Sequence, residues 1–176
     1  MRLDPKYFNL FIAVCAVITL VAIVFGTMSY HSNQEKILRD NIAETDLEQI
    51  VFQYIIENDS LSLPELKGGP VLIDFWATWS GKAQNTHRFL GDLQQHHPDL
   101  IILAAAVRDD EQLVRDYIDS HNYNFTYVIG TEIYHKLQVP GVPSQILIDR
   151  EGRFFDFQIG ENREELERKI KLLMEN

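Results

Sequence analysis

The sequence predicts an α/β domain on a mixed central sheet, carried behind one membrane-spanning helix. Three observations predict it. From Val71 to Leu137 short β-rich runs alternate with helical patterns, the order that gives a sheet with helices packed on its faces. A hairpin pattern and one amphipathic helix then close the chain. At the other end no charged residue occurs from Phe8 to Thr27, and a helix needs about 20 apolar residues to cross the hydrocarbon core.

Residues 1–30 read as an N-terminal transmembrane anchor. Tyr7 and Tyr30 flank the apolar run, where interfacial aromatics belong. Thr19 and Gly26 are compatible with it, because a helix in lipid satisfies its own backbone. A cleaved signal peptide would have a shorter apolar region, about 7–15 residues, ending in a small-x-small site. Thr27-Met28-Ser29-Tyr30-His31 is a poor site of that kind. Cys15 follows the bulky Val14, so it reads as a small apolar residue facing lipid or a neighbouring helix and not as a lipoprotein cysteine. Arg2 and Lys6 before the span and Lys36 and Arg39 after it give the positive-inside rule little margin. The short leading tail and the fold that follows favour an N-terminus in the cytoplasm and a domain outside. Residues 31–50 read as a polar juxtamembrane stalk, helix-permissive, with Ile37, Leu38, Ile42 and Leu47 as a thin apolar stripe for a partner or for the domain itself.

Residues 51–176 form the expected globular domain. Val51 to Ile56 is β-rich, Glu57-Asn58-Asp59-Ser60 is a turn cluster, and Leu61-Ser62-Leu63 alternates, which together signal a hairpin. Pro64 to Pro70 is a helical turn and a loop. Val71 to Trp76 is apolar apart from Asp74 and suits the centre of a sheet. A helix is predicted from about Gly81 to His96, stopped by Pro98, and a second buried strand from Leu100 to Val107. Asp109 or Asp110 caps a helix reaching His121, with Leu113, Val114, Tyr117 and Ile118 inward. Phe125 to Ile129 is a strand and Thr131 to Leu137 a short helix. Ser144 to Asp149 and Arg153 to Ile159 pair around the turn Asp149-Arg150-Glu151-Gly152. Asn162 caps a last helix with Leu166, Ile170 and Leu173 inward.

From His31 onward, 14 Lys and Arg stand against 25 Asp and Glu, a net of −11. That argues against nucleic acid, which needs clustered basic charge, and against a domain lying flat on anionic lipid. Other constellations favour structural roles. Ser80 and Lys82 are i and i+2 on a helix and do not face each other, and no Gly-x-Ser-x-Gly elbow surrounds Ser80, so it reads as a helix cap. His87, His96 and His97 lack the i, i+4 partners of a metal site, and the last two suit a helix C-terminus. Gly68-Gly69-Pro70 is a turn and no phosphate loop. Tyr123, Phe125 and Tyr127 alternate as core and sheet face. No metal, cofactor or small-molecule substrate is predicted.

Three segments in order carry a family resemblance: Asp74-Phe75-Trp76-Ala77-Thr78-Trp79-Ser80-Gly81-Lys82-Ala83, Val139-Pro140-Gly141-Val142-Pro143-Ser144, and the hairpin turn at Gly152 followed by a closing helix. Over Val51 to Met174 the chain resembles the thioredoxin-like proteins. With its anchor and the Leu63–Gly68 run it is similar to the membrane-tethered bacterial ones, which include thiol–disulfide oxidoreductases and reductants for cytochrome c maturation. The resemblance implies a thioredoxin fold. It places the family's two cysteines at Ser80 and Ala83, its cis-proline at Pro143 and its buried acid at Asp74. It also implies a shallow groove in which Gly141, Val142 and Pro143 face Trp79 and Ser80. Arg88 stands where the family usually has a helix-kinking proline. Serine and alanine are also what an engineered trap would carry, but the drift around the motif favours natural degeneration. Thiol–disulfide exchange needs a thiolate, and none is available from Val51 to Asn176. The expectation is a redox-inactive interaction or complex-stabilising subunit on the outer face of the inner membrane, with a protein partner. The alternatives are an oxidoreductase inactive as given, or acting through a partner's cysteines, and a holdase gripping extended peptide.

Overall fold

The computed structural model describes residues 5–175. The chain divides after Ile37 into two compact units. Helix α1 (Pro5–Glu44) belongs to the first unit up to Ile37; it carries the apolar run, and its side chains from Tyr7 to Tyr30 are exposed. By length and composition this is one helix able to cross a membrane.

The second unit, from Leu38, is organised by a seven-stranded sheet in the order β2-β1-β5-β4-β3-β6-β7. Strands β1 (Val51–Tyr54) and β2 (Ser60–Ser62) form the expected hairpin, with Phe52 opposite Leu61. Strand β3 (Val71–Trp76) is central and runs parallel to β4 (Ile101–Ala106), which runs parallel to β5 (Thr126–Ile129). Strands β6 (Ser144–Ile148) and β7 (Phe154–Ile159) add antiparallel at one edge, and β1 adds antiparallel to β5 at the other. Helices α2 (Gly81–His96), α3 (Glu111–Ser120), α4 (Thr131–Lys136) and α5 (Arg163–Met174) complete the unit.

Period-2 alternation along β3 splits the core. Ile73 and Phe75 join Leu103, Val128, Ile133, Leu137 and Ile146 on one side. Leu72 and Trp76 join Leu90, Leu93, Val114, Tyr117, Ile170 and Leu173 on the other. Asp74 shares the parity of Leu72 and Trp76, so it points toward the α2 side.

Two expectations are corrected. The compact unit begins at Leu38 and not at Val51: Leu38 and Ile42, 0% and 2% exposed, belong to the first core cluster with Ile50 and Phe52. Asn41 Nδ2 donates to Leu137 O at 3.0 Å, and the Arg39 guanidinium lies 5.0 Å from the Phe157 ring centre. The apolar stripe of the expected stalk is therefore used by the domain itself. Leu113 is 55% exposed and not inward. The buried stripe of α3 is centred on Val114, Tyr117 and Ile118, and at 100° per residue Leu113 lies about 90° off that centre.

Candidate functional site

The site lies where β3 passes into α2. The strand ends at Trp76, which is fully buried. The chain turns through Ala77, Thr78 and Trp79, and α2 starts after Ser80. Ser80 is the N-cap: its backbone is extended and its Oγ accepts the Ala83 N–H at 3.3 Å. A serine oxygen satisfies one orphan donor of the first turn in this way. Thr78 fixes the loop from outside, with its N–H and Oγ1 both donating to the Asp109 carboxylate at 2.5 and 2.8 Å. Held so, Trp79 is 66% exposed while Ala83 is completely buried in the core.

The cis Val142–Pro143 bond immediately precedes β6. Ser144 is paired with Phe75, so the strand register brings the chain at Pro143 alongside Trp76 at the same end of the sheet. Pro143 is buried, whereas Gly141 and Val142 are half-buried. Ser144 Oγ donates back to Gly141 O at 2.8 Å and tightens this loop. The two loops implied as groove walls thus flank one sheet end.

Beneath Ala83 the structure holds a polar cluster that sequence reasoning did not assemble. Asp74 is fully buried on β3, opposite Ala104, so no lysine faces it from β4. Gln145 Nε2 donates to Asp74 Oδ1 at 2.6 Å, and His87 Nε2 lies 3.0 Å from Asp74 Oδ2. Those two atoms make no aligned hydrogen bond, so the approach is a close polar contact. The other ring nitrogen of His87 lies 3.1 Å from the Tyr117 hydroxyl. Aromatic rings enclose the imidazole, with Trp76 at 4.3 Å and Phe125 at 5.3 Å between centres. Burial pushes the Tyr117 and Tyr127 hydroxyls above the ordinary tyrosine range. The signal for His87 was its spacing: it falls four residues after Ala83, on the same helix face. What the sequence did not show is that this face looks onto Asp74.

The remaining candidates fall in structural places. His97 is the C-cap of α2, and His96 Nδ1 lies 2.9 Å from Asp92 O. Tyr123, Phe125 and Tyr127 pack ring to ring beside His87. Among the described residues no group of three or more His, Cys, Asp or Glu is arranged to hold a metal. The single cysteine, Cys15, is on α1, so the dithiol motif is absent and the site has no group for thiol–disulfide exchange.

Comparison with known proteins agrees with this architecture. No protein-family model matches the chain. Its sequence is similar to a thiol-disulfide oxidoreductase ResA of Bacillus cereus, 27% identical over 114 residues, covering 62% of this chain and 66% of that protein. The match thus spans just under two thirds of that relative. The thioredoxin-like protein YneN of Bacillus subtilis (strain 168) is 26% identical over 123 residues, covering 66% of this chain and 72% of that protein. Among solved structures, MTB dsbF in its mixed oxidized and reduced forms superposes with a TM-score of 0.64 at 21% identity, covering 72% of this chain and 96% of that one. StoA from Bacillus subtilis superposes with a TM-score of 0.56 at 21% identity, covering 69% and 96%. The chain has the thioredoxin fold, and its Cys-x-x-Cys positions read Ser-Gly-Lys-Ala.

Proposed function

We propose that this protein is a redox-inactive, membrane-anchored thioredoxin-like subunit that binds another protein and stabilises a membrane complex. Its domain stands on the outer face of a bacterial inner membrane. One observation carries the reading: both cysteine positions have structural tasks. Ser80 caps α2, and the methyl group of Ala83 packs in the core. The apolar α1 run and the similarity to bacterial thiol–disulfide oxidoreductases support the anchored, extracytoplasmic placement.

The contact surface is the old groove, with Trp79 on one wall and Gly141, Val142 and Pro143 on the other. An exposed tryptophan beside a strand end suits capture of an extended segment. The sequence alone leans slightly to the membrane helix and the stalk around Ile37, Leu38 and Ile42 as the interface, and the burial of the last two weighs against that surface.

The test is insulin disulfide reduction by the full chain in detergent. The expected rate equals the buffer control. Turnover that survives both removal of contaminating thioredoxins and Cys15→Ser would overturn the reading and restore the oxidoreductase. Affinity purification in mild detergent with mass spectrometry addresses the partner. One stoichiometric protein is expected, lost on Trp79→Ala; many substoichiometric clients would instead identify a holdase.

A further inference from the structure

From Leu38 onward, 13 Lys and Arg stand against 24 Asp and Glu. Nine of the 13 form ion pairs. Among the described residues Lys82, Arg88, Arg108 and Lys136 pair with no carboxylate, although carboxylates outnumber cations nearly two to one. Two of these four stand at the sheet end that carries Trp79. Lys82 is exposed in the first turn of α2, where the helix dipole already presents partial positive charge and a cation is disfavoured. Arg108 follows β4 in the left-handed region, φ 49°, a conformation that L side chains avoid and that clusters at functional sites.

The Arg108 side chain is held in place. Its backbone N–H donates to Thr131 Oγ1 at 3.0 Å. The guanidinium lies 5.5 Å from the Tyr134 ring centre and contacts both ring nitrogens of His135 at 3.2 Å. A neutral imidazole accepts at one nitrogen only, so at most one of the five N–H groups is used there. The others keep the planar fork that matches a carboxylate. Arg108 is also tied to both groove walls. Its neighbours Val107 and Asp109 bond to Trp76 O and to Thr78, which leads into Trp79. Tyr134, beneath the guanidinium, accepts the Val139 N–H on its carbonyl at 3.0 Å, at the start of the segment leading to Pro143.

We propose that Arg108 is the carboxylate-reading residue of this groove, and that the occupant is an extended acidic segment of a partner protein with an Asp or Glu side chain on the guanidinium. The inference rests on the groove reading given above and adds the partner's chemistry. Lys82 and the α2 N-terminus add positive potential at the same end. Asp109, Asp110 and Glu111 follow Arg108 at the same end, but the Asp109 carboxylate is taken by Thr78 and that of Asp110 by the α3 N-terminus, so the donors available to a carboxylate there belong to Arg108.

The experiment uses the full chain in detergent micelles and fluorescein-labelled extended peptides, acetylated and amidated at their ends. The peptides are identical except that alternate positions carry Glu, Gln or Lys. The Glu peptide is expected to bind about tenfold more tightly than the Gln peptide, as a charge-assisted pair warrants. The preference shrinks in about 0.5 M salt, where screening is strong. Arg108→Gln should remove most of the Glu peptide's advantage while leaving the Gln peptide unchanged, with Arg108→Lys intermediate. Trp79→Ala should weaken all three. Equal binding of Glu and Gln peptides by the unaltered protein, or an equal loss of both on Arg108→Gln, would overturn the carboxylate role and leave the groove reading standing. A Gln peptide with a free C-terminal carboxylate that binds as tightly as the Glu peptide would overturn the side-chain assignment in favour of a chain terminus. Absence of binding by every peptide would sink the groove reading and this inference with it.

Discussion

Replacing Leu38 by alanine should unfold the domain far more readily, although this residue lies in what the sequence presents as a polar stalk. Leu38 is fully buried, and Ile42 sits one helical turn further on the same face, 2% exposed. Both belong to the cluster of Ile50, Phe52, Leu137 and Phe157. Core Leu→Ala and Ile→Ala changes cost about 2–5 kcal/mol, combining lost transfer energy with the cavity left behind. Leu38 is the first residue of the second unit and its neighbours can partly close the gap, so about 3 kcal/mol is expected for Leu38→Ala. The double change Leu38→Ala/Ile42→Ala should cost less than the sum, because the two sites share one cavity. For a unit of this size 3 kcal/mol lowers Tm by about 10 °C. Lys36→Ala, at an exposed position, serves as control and should stay within about 0.5 kcal/mol. The assay is urea and thermal unfolding of the full chain in detergent, followed by tryptophan emission. Trp76 is the reporter, since it is fully buried in the native state. A chain begun at Val51 should not fold, having lost Leu38, Ile42, Ile50 and the Asn41 bond to Leu137 O. If Leu38→Ala melts within about 2 °C of the unaltered protein, or the chain from Val51 folds cooperatively, the end of α1 is a stalk after all.

Two further outcomes follow from the polar cluster under the site. His87→Ala strips Asp74 Oδ2 and the Tyr117 hydroxyl of their neighbour in a fully buried place and leaves a cavity there, so it should cost about 2–5 kcal/mol; a loss below about 1 kcal/mol in urea unfolding would show the contact to be incidental. Tyr127 has a buried hydroxyl that makes no hydrogen bond among the described residues and a pKa raised by burial, so Tyr127→Phe should hold or raise stability at pH 7, by about 1 kcal/mol at most. Because the folded-state value exceeds the unfolded one, the stabilisation tied to the neutral tyrosines is complete below pH about 10 and is lost as the pH rises toward the folded value. Urea midpoints between pH 8 and about 11 should therefore fall less steeply for Tyr127→Phe than for the unaltered protein, and parallel curves would refute the cause.

The sequence by itself determined what local chemistry can determine. An N-terminal run without charge is long enough to span a bilayer. Ser80, Asp110 and Asn162 each accept a backbone N–H at the start of a helix, as their side chains dictate. The Phe52–Leu61 hairpin, the buried β3 and the last helix were visible from periodicity, and the missing thiols from plain reading. Tertiary structure decided the rest, because those features depend on contacts between residues far apart in the chain. Nothing near Leu38 in sequence announces Phe52 or Phe157 as its neighbours, so a short apolar stripe reads the same as stalk or as core. Leu113 and Val114 differ by one helical step, and only the placement of α3 on the sheet selects which is buried. Asp74, His87, Tyr117 and Gln145 come from four elements, and the pairing of β3 with β6 and the packing of α2 and α3 bring them together. The same holds for Arg108, whose left-handed backbone and seat on Tyr134 exist only once β4 and α4 are side by side. Local periodicity fixes which face of an element is apolar; which side chains meet across faces is set by the sheet order, and that order is a non-local choice.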